Sequence, residues 1–93
     1  MILNERTGEI IIKDVKINLT KYEMQTLIAI NKKRVVTLEE IYEKVYKAKP
    51  KELTDYDKRL VYIIVSRLRK KLAGEIIIHS RHSYGYELEV LNG

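Results

Sequence analysis

Between Lys58 and Gly74 the chain sets six basic residues, Lys58, Arg59, Arg67, Arg69, Lys70 and Lys71, and no carboxylate around an apolar set of Val61, Ile64, Val65, Leu68 and Leu72. The apolar positions step by three or four, the period of one helix face, so a helix here buries one stripe and turns an electropositive surface outward. Ordinary solvated faces mix signs and carry Glu four residues before Lys. This segment has no Glu to play that part.

The charge excess is local to the segment. The chain has 18 Lys+Arg and 13 Asp+Glu, and without these six cations 12 would face 13. A field concentrated on one element is aimed at a polyanion, whereas diffuse basicity speaks only to solubility. Duplex DNA, RNA and an anionic membrane all fit at this level.

Length narrows the architecture. Ninety-three residues with 45% apolar content suit a single domain, residues 1–93, with one core. The absence of Cys excludes disulfides, zinc-cysteine sites and thiol catalysis, and fits a cytoplasmic setting. No apolar run approaches a membrane span, and Met1 to Thr7 is too short and polar for a signal peptide, so no membrane partner is expected.

Local signals give strands, three helices and a hairpin. Met1 to Asn4, Glu9 to Lys13 and Val15 to Leu19 are β-branched segments separated by Thr7-Gly8 and Asp14, which predicts a small antiparallel meander. Thr20 followed by Glu23 is a capping-box pattern, with Met24, Leu27 and Ile30 as the buried stripe of a helix from about Lys21 to Asn31. The pattern recurs at Thr37 and Glu40, after the strand-like Val35-Val36, and Ile41 with Val45 faces a second helix from about Leu38 to Lys47. A polar loop, Ala48 to Asp55, carries the lone proline, Pro50; Thr54 or Asp55 then caps a third, basic helix near Asp57 to Ala73, with Gly74 as its C′ residue. Glu75 to Ser80 and Tyr86 to Leu91 flank Arg81-His82-Ser83-Tyr84-Gly85, a closing hairpin with a cationic and aromatic tip. The predicted fold is α+β: a winged helix-turn-helix with a short N-terminal antiparallel sheet, three helices and a C-terminal β-hairpin wing.

The chain resembles the OmpR/PhoB-type effector domain of bacterial response regulators. Leu19-Thr20 with Glu23, Val35-Val36-Thr37 with Glu39-Glu40, and Ile41 with Val45-Tyr46 match in order, Tyr46 standing where the family usually has Trp. The strongest match is Arg59 with Val61, then Val65-Ser66-Arg67-Leu68-Arg69-Lys70-Lys71-Leu72; Gly85-Tyr86 matches the end of the wing turn. Two departures bear on base preference. The family's wing commonly reads Thr-Val-Arg-Gly where this chain has Ser80-Arg81-His82-Ser83, which leaves either Arg81 or His82 as the minor-groove side chain, and Ile64 occupies a position that is often His.

The resemblance implies duplex DNA binding for transcriptional regulation, with a recognition helix at about 57–73 in the major groove and a wing at 80–85 over the minor groove. It implies a direct-repeat operator, a weak tandem dimer on DNA, and either a receiver domain on a longer chain or a stand-alone regulator. On that placement Arg67 and Ser66 approach base edges, Arg pairing best with guanine acceptors, and Tyr62, Ile63 and Lys70 share the flank; for Tyr62 an aromatic closing the core edge is the other possibility. Arg59, Arg69 and Lys71 are expected as phosphate anchors. Thr37 caps a helix whose first N–H groups could hold a phosphate or could simply be capped. Arg81, His82, Ser83 and Tyr84 form the wing tip. Lys47, Lys49, Pro50, Lys51 and Glu52 occupy the segment that in the family meets RNA polymerase, or else form a solvated loop.

Catalytic chemistry has little support. His79 and His82 have no evident third ligand for a metal, and Asp55 and Asp57 suit a helix start, where carboxylates meet the dipole. No phosphate-binding Gly loop or nucleophile elbow occurs, so neither an enzyme nor a cofactor or metal site is expected. The competing class is a protein- or RNA-binding adaptor built on the same fold. An adaptor would present an apolar or mixed-charge third helix, and single-stranded RNA recognition would want aromatics on an open sheet.

Overall fold

Capping boxes set the helix starts. In the computed structural model, which describes residues 1–49, 52–82 and 84–91, three helices form: α1 (Lys21–Ile30), α2 (Leu38–Tyr46) and α3 (Asp55–Lys71). Thr20, Thr37 and Thr54 accept at their hydroxyl oxygens from the backbone N–H groups of Glu23, Glu40 and Asp57, whose carboxylates accept the threonine N–H in return. Each box satisfies two donors that a helix start leaves without intrahelical partners. The third box uses Asp in place of the usual Glu or Gln, and α3 begins at Asp55, two residues before the expected Asp57. It also ends earlier, with Leu72 as C-cap, so Gly74 (φ 89°) lies one residue past its expected C′ place.

Two small antiparallel sheets flank the helices. The first is the expected meander of β1 (Ile2–Asn4), β2 (Glu9–Ile12) and β3 (Val15–Asn18). The second contains β4 (Val36–Thr37), β5 (Ile76–Arg81) and β6 (Gly85–Val90), in the order β4-β6-β5. The strand-like Val35-Val36 segment thus becomes a short third strand on the wing, pairing Val36 with Tyr86 and Thr37 with Gly85. Gly85 is required by that approach: a Cβ there would collide with the Val36 carbonyl oxygen. One residue on, the Leu38 N–H donates to the Tyr84 carbonyl at 2.9 Å, so the wing turn supplies an acceptor to the start of α2.

The core lies where these elements meet. Met24, Leu27 and Ile30 of α1, Ile41 and Val45 of α2, and Val61, Ile64, Val65, Leu68 and Leu72 of and after α3 pack with Ile10, Ile12, Ile76, Ile78 and Tyr86. Burial of such side chains stabilises by about 1.5–3 kcal/mol each, which holds the inner stripe of α3 in place and leaves its basic side outward. Ile64 belongs to that buried stripe, so at this position, often His in the resembling family, the chain has a core residue. No helix among the described residues is long and apolar enough to cross a membrane.

Candidate nucleic-acid interface

The outer face of α3 collects most of the expected contact residues. Arg59, Tyr62, Ile63, Ser66, Arg67 and Lys70 are all exposed, and the helix's acidic residues, Asp55 and Asp57, are confined to its first turn. Tyr62 and Ile63 are 47% and 41% exposed, so neither is held inside the core. Tyr62 also borders a shallow cleft of about 350 Å³ between α3 and the wing, lined with Leu38, Arg69, Ser80, Gly85 and Tyr86. Its ring is therefore at the edge of the helix–wing junction and still open to a partner.

Arg69 and Lys71 differ from the other cations of the helix. Arg69 Nε and Nη2 both donate to the Ile78 carbonyl, at 3.0 and 2.6 Å, and Nη2 also reaches Ser80 Oγ at 3.0 Å. Its guanidinium carbon lies 5.5 Å from the centre of the Tyr86 ring, a cation–π distance. Lys71 Nζ donates to Glu23 Oε1 at 2.6 Å and to the Asn18 carbonyl at 3.3 Å. Burial pushes the Glu23 carboxyl up, but the Lys71 ammonium and the Thr20 N–H and hydroxyl together hold it below the usual carboxylate range. Two of the three expected phosphate anchors, Arg69 and Lys71, thus already have partners inside the fold, while Arg59 is exposed.

The start of α2 is similarly committed. The Thr37 hydroxyl accepts the Glu40 N–H and donates to Glu40 Oε1, while Tyr84 accepts the Leu38 N–H. The Thr37 hydroxyl is thus engaged in the cap, and the Leu38 and Glu40 N–H groups at this helix start already have acceptors. Glu40 is further bound by Lys33 at 2.8 Å.

At the wing, Arg81 and His82 separate. Arg81 Nε donates to Glu87 Oε1 at 2.7 Å, and Arg34 Nε approaches Glu87 Oε2 at 3.5 Å. The Arg81 hydrogen bond is the main cause holding the Glu87 carboxyl below its ordinary range. His82, left-handed at φ 52°, and Tyr84 stack with ring centres 5.8 Å apart and planes 8° from parallel. Ser83 lies outside the described residues. His79 instead pairs with Glu89 at 2.7 Å, so the two histidines do not converge, and among the described residues no group of three or more His, Asp or Glu is placed to hold a metal.

Of the α2–α3 loop, Lys47 is the left-handed C-cap of α2 (φ 54°), Lys49 sits 3.9 Å from Glu43, and Glu52 is exposed. Pro50 and Lys51 lie outside the described residues. Two further features carry little or no local sequence signal. Arg34 joins the wing through Glu87, a pairing across the sheet with no local sequence signal. Tyr46 sits at the centre of an aromatic group, 5.2 Å from Tyr22 and 4.7 Å from Tyr42. The four-residue spacing of Tyr42 and Tyr46 was the available signal for the second contact.

Comparison with known proteins follows the same outline. The family model described as "Transcriptional regulatory protein, C terminal" matches residues 13–88, from the turn before β3 into β6, and so takes in all three helices and the wing. No curated protein and no solved structure matches the chain significantly.

Proposed function

Because the chain belongs to the family of transcriptional regulatory protein C-terminal domains, the DNA-binding effector domains of OmpR/PhoB-type response regulators, we propose that it binds duplex DNA sequence-specifically, with α3 in the major groove and residues 80–85 at the minor groove. The observation that carries this reading is the outer face of α3: Arg59, Arg67 and Lys70 are exposed beside Tyr62, Ile63 and Ser66, with no carboxylate beyond the first turn. Arg67 and Ser66 read base edges, Ile63 meets a thymine methyl group, Tyr62 and Lys70 line the same flank, and Arg59 holds a phosphate. The exposed His82–Tyr84 stack makes the wing contact, since Arg81 is engaged by Glu87. Thr37 acts through its cap, and Arg69 and Lys71 act chiefly by holding α3.

Tandem copies on a direct repeat, contact of RNA polymerase with Lys47, Lys49, Pro50, Lys51 and Glu52, and control by a receiver domain are the partnerships the family suggests. The family is a regulatory one and not catalytic. Selection from a random duplex library, followed by anisotropy titration, tests the proposal. The expected result is an enriched motif bound at least ~10³-fold more tightly than unrelated duplex. Equal affinity for all duplexes, or none for any, overturns it.

A further inference from the structure

We propose that Arg69 is a positioning residue that fixes the recognition helix relative to the wing, and that its guanidinium stays on the wing when DNA is bound. The inference rests on duplex binding by α3 and the wing. One side chain meets three groups of the hairpin: the Ile78 carbonyl through two donors, Ser80 Oγ through one, and the Tyr86 ring through the cation. Ser80 and Tyr86 are cross-strand partners, one step from the Arg81–Gly85 pair that closes the turn. Arg69 therefore grips both strands of the wing just below its tip.

The other end of the grip is equally fixed. Leu68 and Leu72, on either side of Arg69 in sequence, are fully buried, so the helix turn that carries the guanidinium cannot slide along the core. β5 is an edge strand, and an edge strand leaves outward main-chain groups without sheet partners. A planar fork with several donors is suited to a single carbonyl and an adjacent hydroxyl at once, and a Lys ammonium on a flexible stem is not. Rotation of the wing about α3 would pull the guanidinium away from all three groups together.

Phosphate anchoring and positioning give opposite results in two variants. Titration of the 93-residue chain with its selected duplex at several salt concentrations, after circular dichroism confirms folding, compares wild type with Arg69→Lys and Arg69→Gln. For a positioning residue, Arg69→Lys loses roughly tenfold in affinity despite keeping its charge, and Arg69→Gln weakens binding with an unchanged salt slope. A phosphate anchor would tolerate Lys and would lower the slope by about 0.9 in the Gln variant. Either of those results overturns the inference. Should a variant fail to fold, the Arg69 Nε–H resonance of the wild-type chain decides: it is expected to stay protected and unshifted on saturation with duplex, and its loss or large shift would place the guanidinium on DNA. No binding by the wild-type chain overturns the duplex reading itself, whereas wild-type binding with an unaffected Arg69→Lys overturns only the positioning role.

Discussion

Lys71 Nζ and Glu23 Oε1 lie 2.6 Å apart, with the Glu23 side chain only 3% exposed and the Lys71 side chain 38%. The pair joins the last turn of α3 to the capping box of α1, and Lys71 also reaches the end of β3 through the Asn18 carbonyl. Removing the cation would leave a nearly buried charge with only its capping bonds. Lys71→Met is expected to destabilise the fold by roughly 1–3 kcal/mol, the part-exposed Lys71 side chain keeping the cost below that of a fully buried pair. Since the folded-state pKa of Glu23 is depressed, its contribution is present above the unfolded carboxylate value and is lost as pH falls through the folded one. Thermal melts between neutral and acid pH should therefore show the gap between wild type and Glu23→Gln closing on the acid side. A gap that stays constant with pH would contradict the depressed pKa.

Two glycines should respond differently to alanine. At Gly85 a Cβ meets the Val36 carbonyl, and relief would require β4 to part from β6, so Gly85→Ala is expected to cost about 1–3 kcal/mol. At Gly74 nothing lies within 4 Å of a Cβ and the only penalty is the positive φ, about 1 kcal/mol. Urea unfolding of both variants checks the order; a larger loss at Gly74 would refute the close-approach account.

Arg67→Ala and Arg59→Ala should separate specificity from affinity. The first is expected to lose ~1–3 kcal/mol of discrimination at one base pair, while the second weakens all duplexes alike and lowers the salt slope by roughly 1. Competition binding against single-base operator variants distinguishes them, and a uniform loss in Arg67→Ala would remove its base contact.

Glu87 restrains the wing's positive charge. Glu87→Gln, by releasing Arg81 and Arg34, should raise affinity for unrelated duplex several-fold at low salt and steepen the slope by up to about 0.9 for each arginine that reaches a phosphate. The carboxyl is held below its usual range chiefly by the Arg81 hydrogen bond, so in the wild type this release waits for acid pH and contributes nothing near neutrality. Unchanged non-specific binding in the variant would show that neither arginine can reach DNA.

Short-range rules explain which features were readable in the sequence. The Thr20/Glu23 and Thr37/Glu40 boxes, the stripe from Val61 to Leu72 and the hairpin around 81–85 each depend on residues a few positions apart, and all appear in the fold. Before α3 the sequence offers only a cap at Thr54 or Asp55, since Asp57 stands where a box usually has Glu or Gln. What stayed hidden were the partners of individual cations. In the sequence Arg69 and Lys71 are two like charges with the same expected role beside Lys70, yet Arg69 binds a carbonyl nine residues on, Lys71 a carboxylate 48 residues back, and Lys70 is exposed with neither tie. Only the meeting of α3 with the wing and with α1 separates them. Arg81 was hidden in the same way, its partner Glu87 being decided by the cross-strand geometry of the hairpin.

The bond from the Leu38 N–H to the Tyr84 carbonyl has a consequence for loop grafting. Because the acceptor is main chain, the side chains at 82 and 84 can vary without removing it, position 82 being limited to residues that tolerate its left-handed φ of 52°, while a change in loop length would displace that oxygen. Libraries that randomise the tip at constant length should therefore yield folded domains with altered sequence preference, and libraries that vary its length should yield mostly misfolded ones.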